Sequence, residues 1–263
     1  MLKPLALSIA LMLSAPIAQA QDAAFSLARA IAERPANEGR VGDMVFELTT
    51  SNGAVRNRRA LMIHSDTNDL TRIGIFFKAP AAIADTAFLS HEPSGSAGEN
   101  WLYLPATDRV RRLPSSERGS YFMGTDLTYG DIKDNFRFSL DDWDFSGGAA
   151  DTATGLLQLS GTVRTPDIGK ELGYSRFSAL IDPKTLFPVK VLYADTAGAP
   201  LKEVEILEQQ QVGGAWTAMR FHVRNLQTGH TTKVHFENMR HIPALDDRFL
   251  TSTQLARGVP TIR

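Results

Sequence analysis

The sequence predicts a mainly β protein: one domain built on an antiparallel sheet of about a dozen strands, with few helices. Three observations carry that reading. Apolar residues recur with period two over most of the chain after residue 44, and short Gly, Asn, Asp or Pro breaks separate the runs. Helical periodicity is confined to three segments, and no repeat or linker-like run divides the chain.

Taken in order, residues 1–20 read as a secretory signal peptide. Met1-Leu2-Lys3 is a cationic start, Leu5 to Leu13 is apolar, and Ala18-Gln19-Ala20 has the small-x-small pattern of a cleavage site. Pro16 breaks the run short of the ~20 apolar residues a membrane anchor needs. Cleavage after Ala20 leaves residues 21–263 as a single domain with a periplasmic location. Asp22 to Arg34 predicts a helix with Asp22 as N-cap, Ala24, Leu27, Ala28 and Ile31 on one stripe, and Pro35 beyond its end.

From Met44 the period is two: Met44, Phe46 and Leu48 alternate with Val45, Glu47 and Thr49, and Ser51-Asn52-Gly53 supplies a turn. Further strands are expected at 54–64, 71–78, 86–92, 100–105, 109–113, 155–164, 174–182, 187–194, 201–211, 215–224 and 231–238. Thr125 to Lys133, with Thr125 as cap, and Leu245 to Leu255 complete the helical candidates. The last two strands test each other. If Arg224 pairs with Thr231, then Met219, Phe221 and Val223 share a face with Thr232, Val234 and Phe236, while Arg220, His222, Arg224, Lys233, His235 and Glu237 share the other. One oily and one wet face belong to an antiparallel sheet. So many strands tend to curl or split, and a barrel wider than about eight strands leaves a cavity or needs a plug, for which the few helices are available.

Composition removes several functions. With 28 Lys+Arg against 29 Asp+Glu, the net charge of −1 argues against a nucleic-acid binder. The absence of cysteine excludes disulfides, thiol catalysis, Cys-ligated zinc and a lipidated N-terminal Cys. Ser94-Gly95-Ser96-Ala97-Gly98 has the wrong spacing for a serine-hydrolase elbow, and no phosphate-binding glycine motif occurs. His222 and His235 share the wet face two residues out of step, short of the four ligands of a structural metal. Asp141-Asp142-Trp143-Asp144 lacks the alternation of a calcium loop and reads as a solvated turn. No catalytic residue, metal or cofactor is expected from these patterns.

What stands out is aromatic and basic, from Trp101 to Tyr129: WLYLPATDRVRRLPSSERGSYFMGTDLTY. Arg109, Arg111 and Arg118 present guanidinium groups suited to an anionic headgroup or an acidic partner. The plainer alternative leaves Arg109 and Arg111 as exposed strand positions, with Arg112 paired to a carboxylate such as Asp126.

That stretch, preceded by IGIFFKAPAAIADTAFLSHE and followed far downstream by GHTTKVHFENMRHIPALDDRFLTSTQLARG, resembles the outer-membrane lipoprotein-sorting proteins related to the periplasmic carriers LolA and LolB. The resemblance runs from about Gly42 to Gly258. It implies a strongly curved, unclosed antiparallel barrel with helices over its mouth and an apolar cavity for acyl chains. It further implies a non-enzymatic carrier or chaperone for a lipoprotein or lipid, with only transient membrane contact. An inner-membrane transporter of the resistance-nodulation-division or MMPL type is the implied partner. Phe46, Leu48, Trp101, Tyr103, Met219, Phe221, Val223, Val234 and Phe236 are the expected acyl-chain contacts. Arg112, Phe122, Met123, Gly124, Asp126 and Tyr129 are expected to serve the motif's own structure. A transporter-associated module with a filled interior and an exported hydrolase are the other readings left open.

Overall fold

A computed structural model describes residues 15–36, 38–67, 69–93, 98–134 and 136–262, with side chains from Gln21 onward except Asp134. Helix α1 (Ala15–Ala32) leads into one half of the sheet: β1 (Gly39–Thr49), β2 (Val55–Thr67), β3 (Leu70–Ala79), β4 (Ala87–Pro93), β5 (Glu99–Leu104) and β6 (Arg109–Leu113). A long crossing that contains α2 (Tyr129–Asp134) leads to β7 (Trp143–Ala150) and β8 (Leu157–Val163). Helix α3 (Pro166–Leu172) follows, and then β9 (Arg176–Ile181), β10 (Pro188–Ala194), β11 (Pro200–Val212), β12 (Ala215–Asn225) and β13 (Thr231–His241). A one-turn helix, α4 (Ser252–Leu255), lies near the end.

The strands form one antiparallel sheet in the order β6-β5-β4-β3-β2-β1-β13-β12-β11-β10-β9-β8-β7. Each half is a meander, and the first and last strands join them, Met44 facing Phe236 and Phe46 facing Val234. The sheet is not closed into a barrel: β6 and β7, consecutive in sequence, are its two opposite edges. Their connection, residues 114–142, therefore has to cross the molecule from edge to edge. The most distinctive stretch of the sequence is this strap.

Alternation sorts the side chains onto two faces. Inside, one continuous cluster joins Met44, Phe46 and Leu48 of β1 to Ala60 and Met62, Ile75 and Phe77, Phe88, Leu102, Phe221, Val223, Val234, Phe177 and Leu159, together with Phe122 and Leu127 of the strap and Ala24, Leu27, Ala28 and Ile31 of α1. Outside, a second cluster of Val41, Leu61, Ile63, Phe76, Ala87, Leu89 and Tyr103 is covered by Leu245, Leu250 and Leu255 of the C-terminal segment. The two halves thus differ: β2–β5 and the Val41 end of β1 contribute to a covered outer face, whereas Leu180 and Leu192 on the outer face of β9 and β10 are not covered in this way.

The hairpin register is as expected, with Arg224 opposite Thr231 and Phe221 opposite Val234. Five details differ from the sequence reading. Helix α1 begins at Ala15, so Asp22 sits inside it and caps nothing. Residues 1–14 lie outside the described residues, as does most of the Ser94 to Gly98 stretch. The cap of α2 is Thr128 and not Thr125: Thr128 Oγ1 accepts from the Asp131 N–H at 3.1 Å while the Asp131 carboxylate accepts from the Thr128 N–H at 2.6 Å. Leu245 to Leu255 is no continuous helix but two short turns, Asp247–Leu250 and Ser252–Leu255, each begun by a side-chain cap, from Asp246 and from Thr251. The thirteenth strand, β7, takes the second half of the turn expected at Asp141–Asp144, which is a turn only through Asp142. Its Trp143 and Phe145 point inward and Asp144 outward, and its Gly147-Gly148 pair, at φ 106° and 92°, disguises it in sequence. Helix α3 was also unexpected, although Thr165 caps the Ile168 N–H, Pro166 opens it and Gly173, at φ 79°, ends it.

Candidate functional site

The strap crosses the inner face and is pinned there near its middle. Gly124 at φ 71° and Met123 at φ 48° make a tight turn that sends Phe122 into a ring cluster, 6.0 Å from Phe77, 5.6 Å from Phe88 and 5.4 Å from Tyr129. The Asp126 N–H donates to Thr232 Oγ1 at 2.9 Å. Its carboxylate accepts from that hydroxyl at 2.7 Å and bonds His230 Nδ1 at 2.6 Å. Lys202, fully buried on β11, donates its ammonium to the Asp126 carbonyl at 3.1 Å and to the Asp131 carboxylate, which also accepts from Tyr174 at 3.0 Å. Burial and the nearby Asp131 hold the Tyr174 phenol well above its ordinary range, so it remains the donor. Lys133 continues the anchoring, donating to Glu92 of β4 at 2.6 Å.

Beyond this clasp the strap roofs a cavity. Its floor is Met44 of β1, Met62 of β2, Ile73 and Ile75 of β3, Thr217, Ala218 and Phe221 of β12 and Phe236 of β13, and its roof is Leu127, Asp131, Ile132 and Phe136. Phe136 lies over it, edge-on to Phe221 with ring centroids 5.0 Å apart. The free volume within it is about 50 Å³. That is room for a water or two at ~30 Å³ each, well below the ~300–1,000 Å³ of pockets that hold small ligands. A furrow of about 320 Å³ on the outer face of β8 to β11 is roomier but open.

Two basic side chains, Arg40 of β1 and His64 of β2, complete the lining. They stand directly opposite each other in register and are 4% and 2% exposed. Arg40 Nη1 donates to Thr217 Oγ1 at 3.1 Å; its Nε and both His64 ring nitrogens have no hydrogen-bond partner among the described residues. Arg137 lies close enough to act electrostatically on both, and its Nη2 donates to the Arg34 carbonyl at 2.8 Å. Arg34 donates to the Phe136 carbonyl at 3.1 Å and stacks 3.8 Å from the Phe187 ring. Burial, then Arg137, lowers Arg40 to about 10 against the pull of Asp66. Burial, then Arg137 and Arg40, lowers Arg34 to about 9. Both guanidinium groups are charged at neutral pH. Burial first, and then Arg40 and Arg137, push His64 well below its ordinary range, so it is neutral there. An uncompensated buried charge costs about 3–5 kcal/mol.

The expected contacts are distributed unevenly over this geometry. Phe221 and Phe236 line the cavity. Phe46, Leu48, Val223 and Val234 share its cluster without lining it, and Met219 is buried beside an irregularity in β12 and does not line it either. Trp101 and Tyr103 face outward into the second cluster, on the far side of the sheet from Phe46. Arg109 and Arg111 occupy the β6 edge, with Arg111 paired to Glu117 at 3.2 Å. Arg118 pairs with Asp142 at 2.9 Å inside the strap. Arg112 pairs with Glu99 at 2.6 Å, not with Asp126, because Arg112 points outward and the strap holds Asp126 against Thr232 on the inner face. Phe122, Met123, Gly124, Asp126 and Tyr129 build the turn and the clasp. Sequence reading did not single out Arg34, Arg40, His64, Lys202 or Phe136. The available signal was parity: Arg40 continues the inward stripe of Met44, Phe46 and Leu48.

A family model described as an uncharacterized protein matches residues 69–257. No curated protein matches the sequence. Among solved structures, a domain described as outer membrane lipoprotein-sorting, from Vibrio parahaemolyticus, is 24% identical with a TM-score of 0.80, covering 90% of this chain and 100% of its own. A DUF1329 family protein from Desulfovibrio piger is 23% identical with a TM-score of 0.81, covering 90% and 99%. A LolA superfamily protein from Nitrosomonas europaea is 16% identical with a TM-score of 0.63, covering 88% and 97%. At these identities the likeness is one of fold, and the fold is that of LolA-type proteins.

Proposed function

The chain belongs to the family matched over residues 69–257 and has the LolA-type fold, and from this premise we propose that it is a non-enzymatic periplasmic carrier. It shields the acyl chains of a lipid or lipoprotein between the inner sheet face and the strap. The observation that carries the reading is the cavity: an apolar floor shared by five strands under a strap whose Phe136 ring lies over it, held at that point through two backbone carbonyls, that of Phe136 accepting from Arg34 and that of Arg34 from Arg137. Moving a ~16-carbon chain through water costs on the order of 12 kcal/mol at ~0.8 kcal/mol per methylene, so transfer between membranes needs a shielded route. The resting volume of about 50 Å³ means that cargo displaces Phe136 and opens the strap, a two-state element biased by its ligand.

The same volume supports the alternative of an interaction module filled by its own side chains. Displacement of the neutral dye N-phenyl-1-naphthylamine by long-chain lipids separates the two, with mass spectrometry of whatever leaves with the natively purified protein. Saturable binding that responds to Phe136 and Phe221 substitutions supports the carrier, and no binding supports the module. Periplasmic location, removal of residues 1–20 and an inner-membrane transporter as partner belong to the same proposal. They rest on the signal-like N-terminus and the family resemblance, and an intact mass starting at Gln21 checks the cleavage.

A further inference from the structure

An apolar chain does not require the basic groups beyond the clasp. Arg40 and His64 line the cavity with nitrogen atoms that no acceptor meets among the described residues. The carboxylate whose charge reaches Arg40 and Arg137 is Asp66, and it accepts from Thr71 at 3.1 Å. The carboxylate that lines the cavity, Asp131, is already held by Lys202, Tyr174 and the Thr128 N–H. Arg137 Nε, beside the cavity, likewise has no hydrogen-bond partner among the described residues. Buried polar groups are almost always satisfied, and Arg40 and His64 donors left without an acceptor on one cavity wall mark the place of an absent group. Guanidinium and imidazole donors together select an oxyanion, carboxylate or phosphate, over a neutral or cationic group.

The neighbours fix what the anion is attached to. Met44, Met62, Ile73 and Phe221 adjoin Arg40 and His64 in the same cavity and offer it no further polar contact. We propose that Arg40 and His64, supported by Arg137, form a buried site for the oxyanion headgroup of an amphiphile whose chain lies over Met44, Met62, Ile73 and Phe221. The chain half of this statement rests on the carrier reading. The anion half does not. The site makes the cargo a fatty acid or a phosphate-bearing lipid in preference to a neutral acylglycerol of the same length.

The test compares hexadecanoate with hexadecanol, equal in length, as competitors of N-phenyl-1-naphthylamine, and adds inorganic phosphate as a short oxyanion in a thermal melt. We expect the acid to compete at least tenfold better than the alcohol. Arg40→Met should abolish that preference and melt no lower than the parent, and His64→Leu provides the same comparison through the second member. Acid and alcohol competing equally, with no effect of phosphate on the melt, overturns the anion site and leaves the carrier reading standing. Stabilisation by phosphate in the parent but not in Arg40→Met, with neither lipid displacing the dye, keeps the anion site for a free oxyanion and removes the carrier. Failure of all three ligands overturns both. Variants that melt early yet retain the acid's preference assign the cluster to the fold, against the proposal.

Discussion

The clasp at the strap's middle and the basic cluster beyond it hold buried charge in opposite ways. At the clasp, each carboxylate is hydrogen-bonded: Asp131 meets the Lys202 ammonium, and Asp126 meets the Thr232 hydroxyl and the His230 ring. In the basic cluster, Arg40, His64 and Arg137 gather where no carboxylate hydrogen-bonds to any of them among the described residues. Both sites are desolvated, so the difference lies in the partners and not in the surroundings. A compensated network resists change because removing a member strands the rest. An uncompensated one is relieved by whatever supplies the missing charge. On the proposal above, the strap is thus fixed at the clasp and responsive over the basic cluster.

Substitutions break this contrast most directly. Lys202→Met should be the most damaging, by about 3–5 kcal/mol, because it leaves Asp131 buried without its cation, whereas Arg40→Met should cost nothing or stabilise. Urea unfolding of the pair measures this, and equal losses would erase the distinction between the two sites. Next, Phe136→Ala should cost less than the about 3–5 kcal/mol of a fully buried Phe truncation, since the ring is only partly buried, while dye binding rises as the cavity opens. Phe221→Ser, on the floor, should lose both stability and dye binding, and unchanged dye affinity in a folded variant would move the site elsewhere.

Acid sharpens the comparison. His64 is depressed by burial, Arg40 and Arg137, and the other charges around it are Arg34, Asp66 and Asp131. Since the unfolded chain takes up the proton near the ordinary 6.5 and the folded protein does not, stability is full above that value and falls as pH drops below it. The limiting slope is about 1.4 kcal/mol per pH unit for one group. His64→Leu should flatten that part of a stability-against-pH curve; an unchanged slope would assign it to other groups. The smallest effect belongs to the β6 edge. Arg111→Glu breaks an exposed pair worth about 0–1 kcal/mol and should leave the melt nearly unchanged. If Arg109 and Arg111 meet an acidic partner, it should slow transfer in low salt and less so in high salt, and a normal rate at every salt concentration leaves them without that role.

Alternation in sequence revealed most of the sheet because each inward stripe, such as Phe221-x-Val223 against Thr232-x-Val234, is a local pattern that tertiary contacts only reinforce. β7 escaped because Gly147 and Gly148 interrupt its stripe after two aromatic residues. The strap's motif was conspicuous, but its role was hidden. Nothing local says that β6 and β7 lie on opposite edges, and only that separation turns residues 114–142 into a crossing. The candidate site was half legible. Phe221 and Phe236 followed from the hairpin register, while Trp101 and Tyr103 were grouped with them though they stand one residue out of phase with Leu102, which faces inward. Arg40 was missed because the strand was started at Met44, five residues after its true beginning at Gly39, so its place on the apolar stripe went unseen.

The seam between β1 and β13 ties the order of synthesis to the order of assembly. β1 through β6 emerge early and can pair with one another, but the free edge of β1 must wait for almost the entire remaining chain before Phe46 meets Val234. Contacts so distant in sequence slow folding, and an unpaired central strand held open meanwhile is a template for the wrong neighbour. The nascent half-sheet is therefore the species most exposed to aggregation, and a chain kept extended until its last strand is available would avoid that hazard.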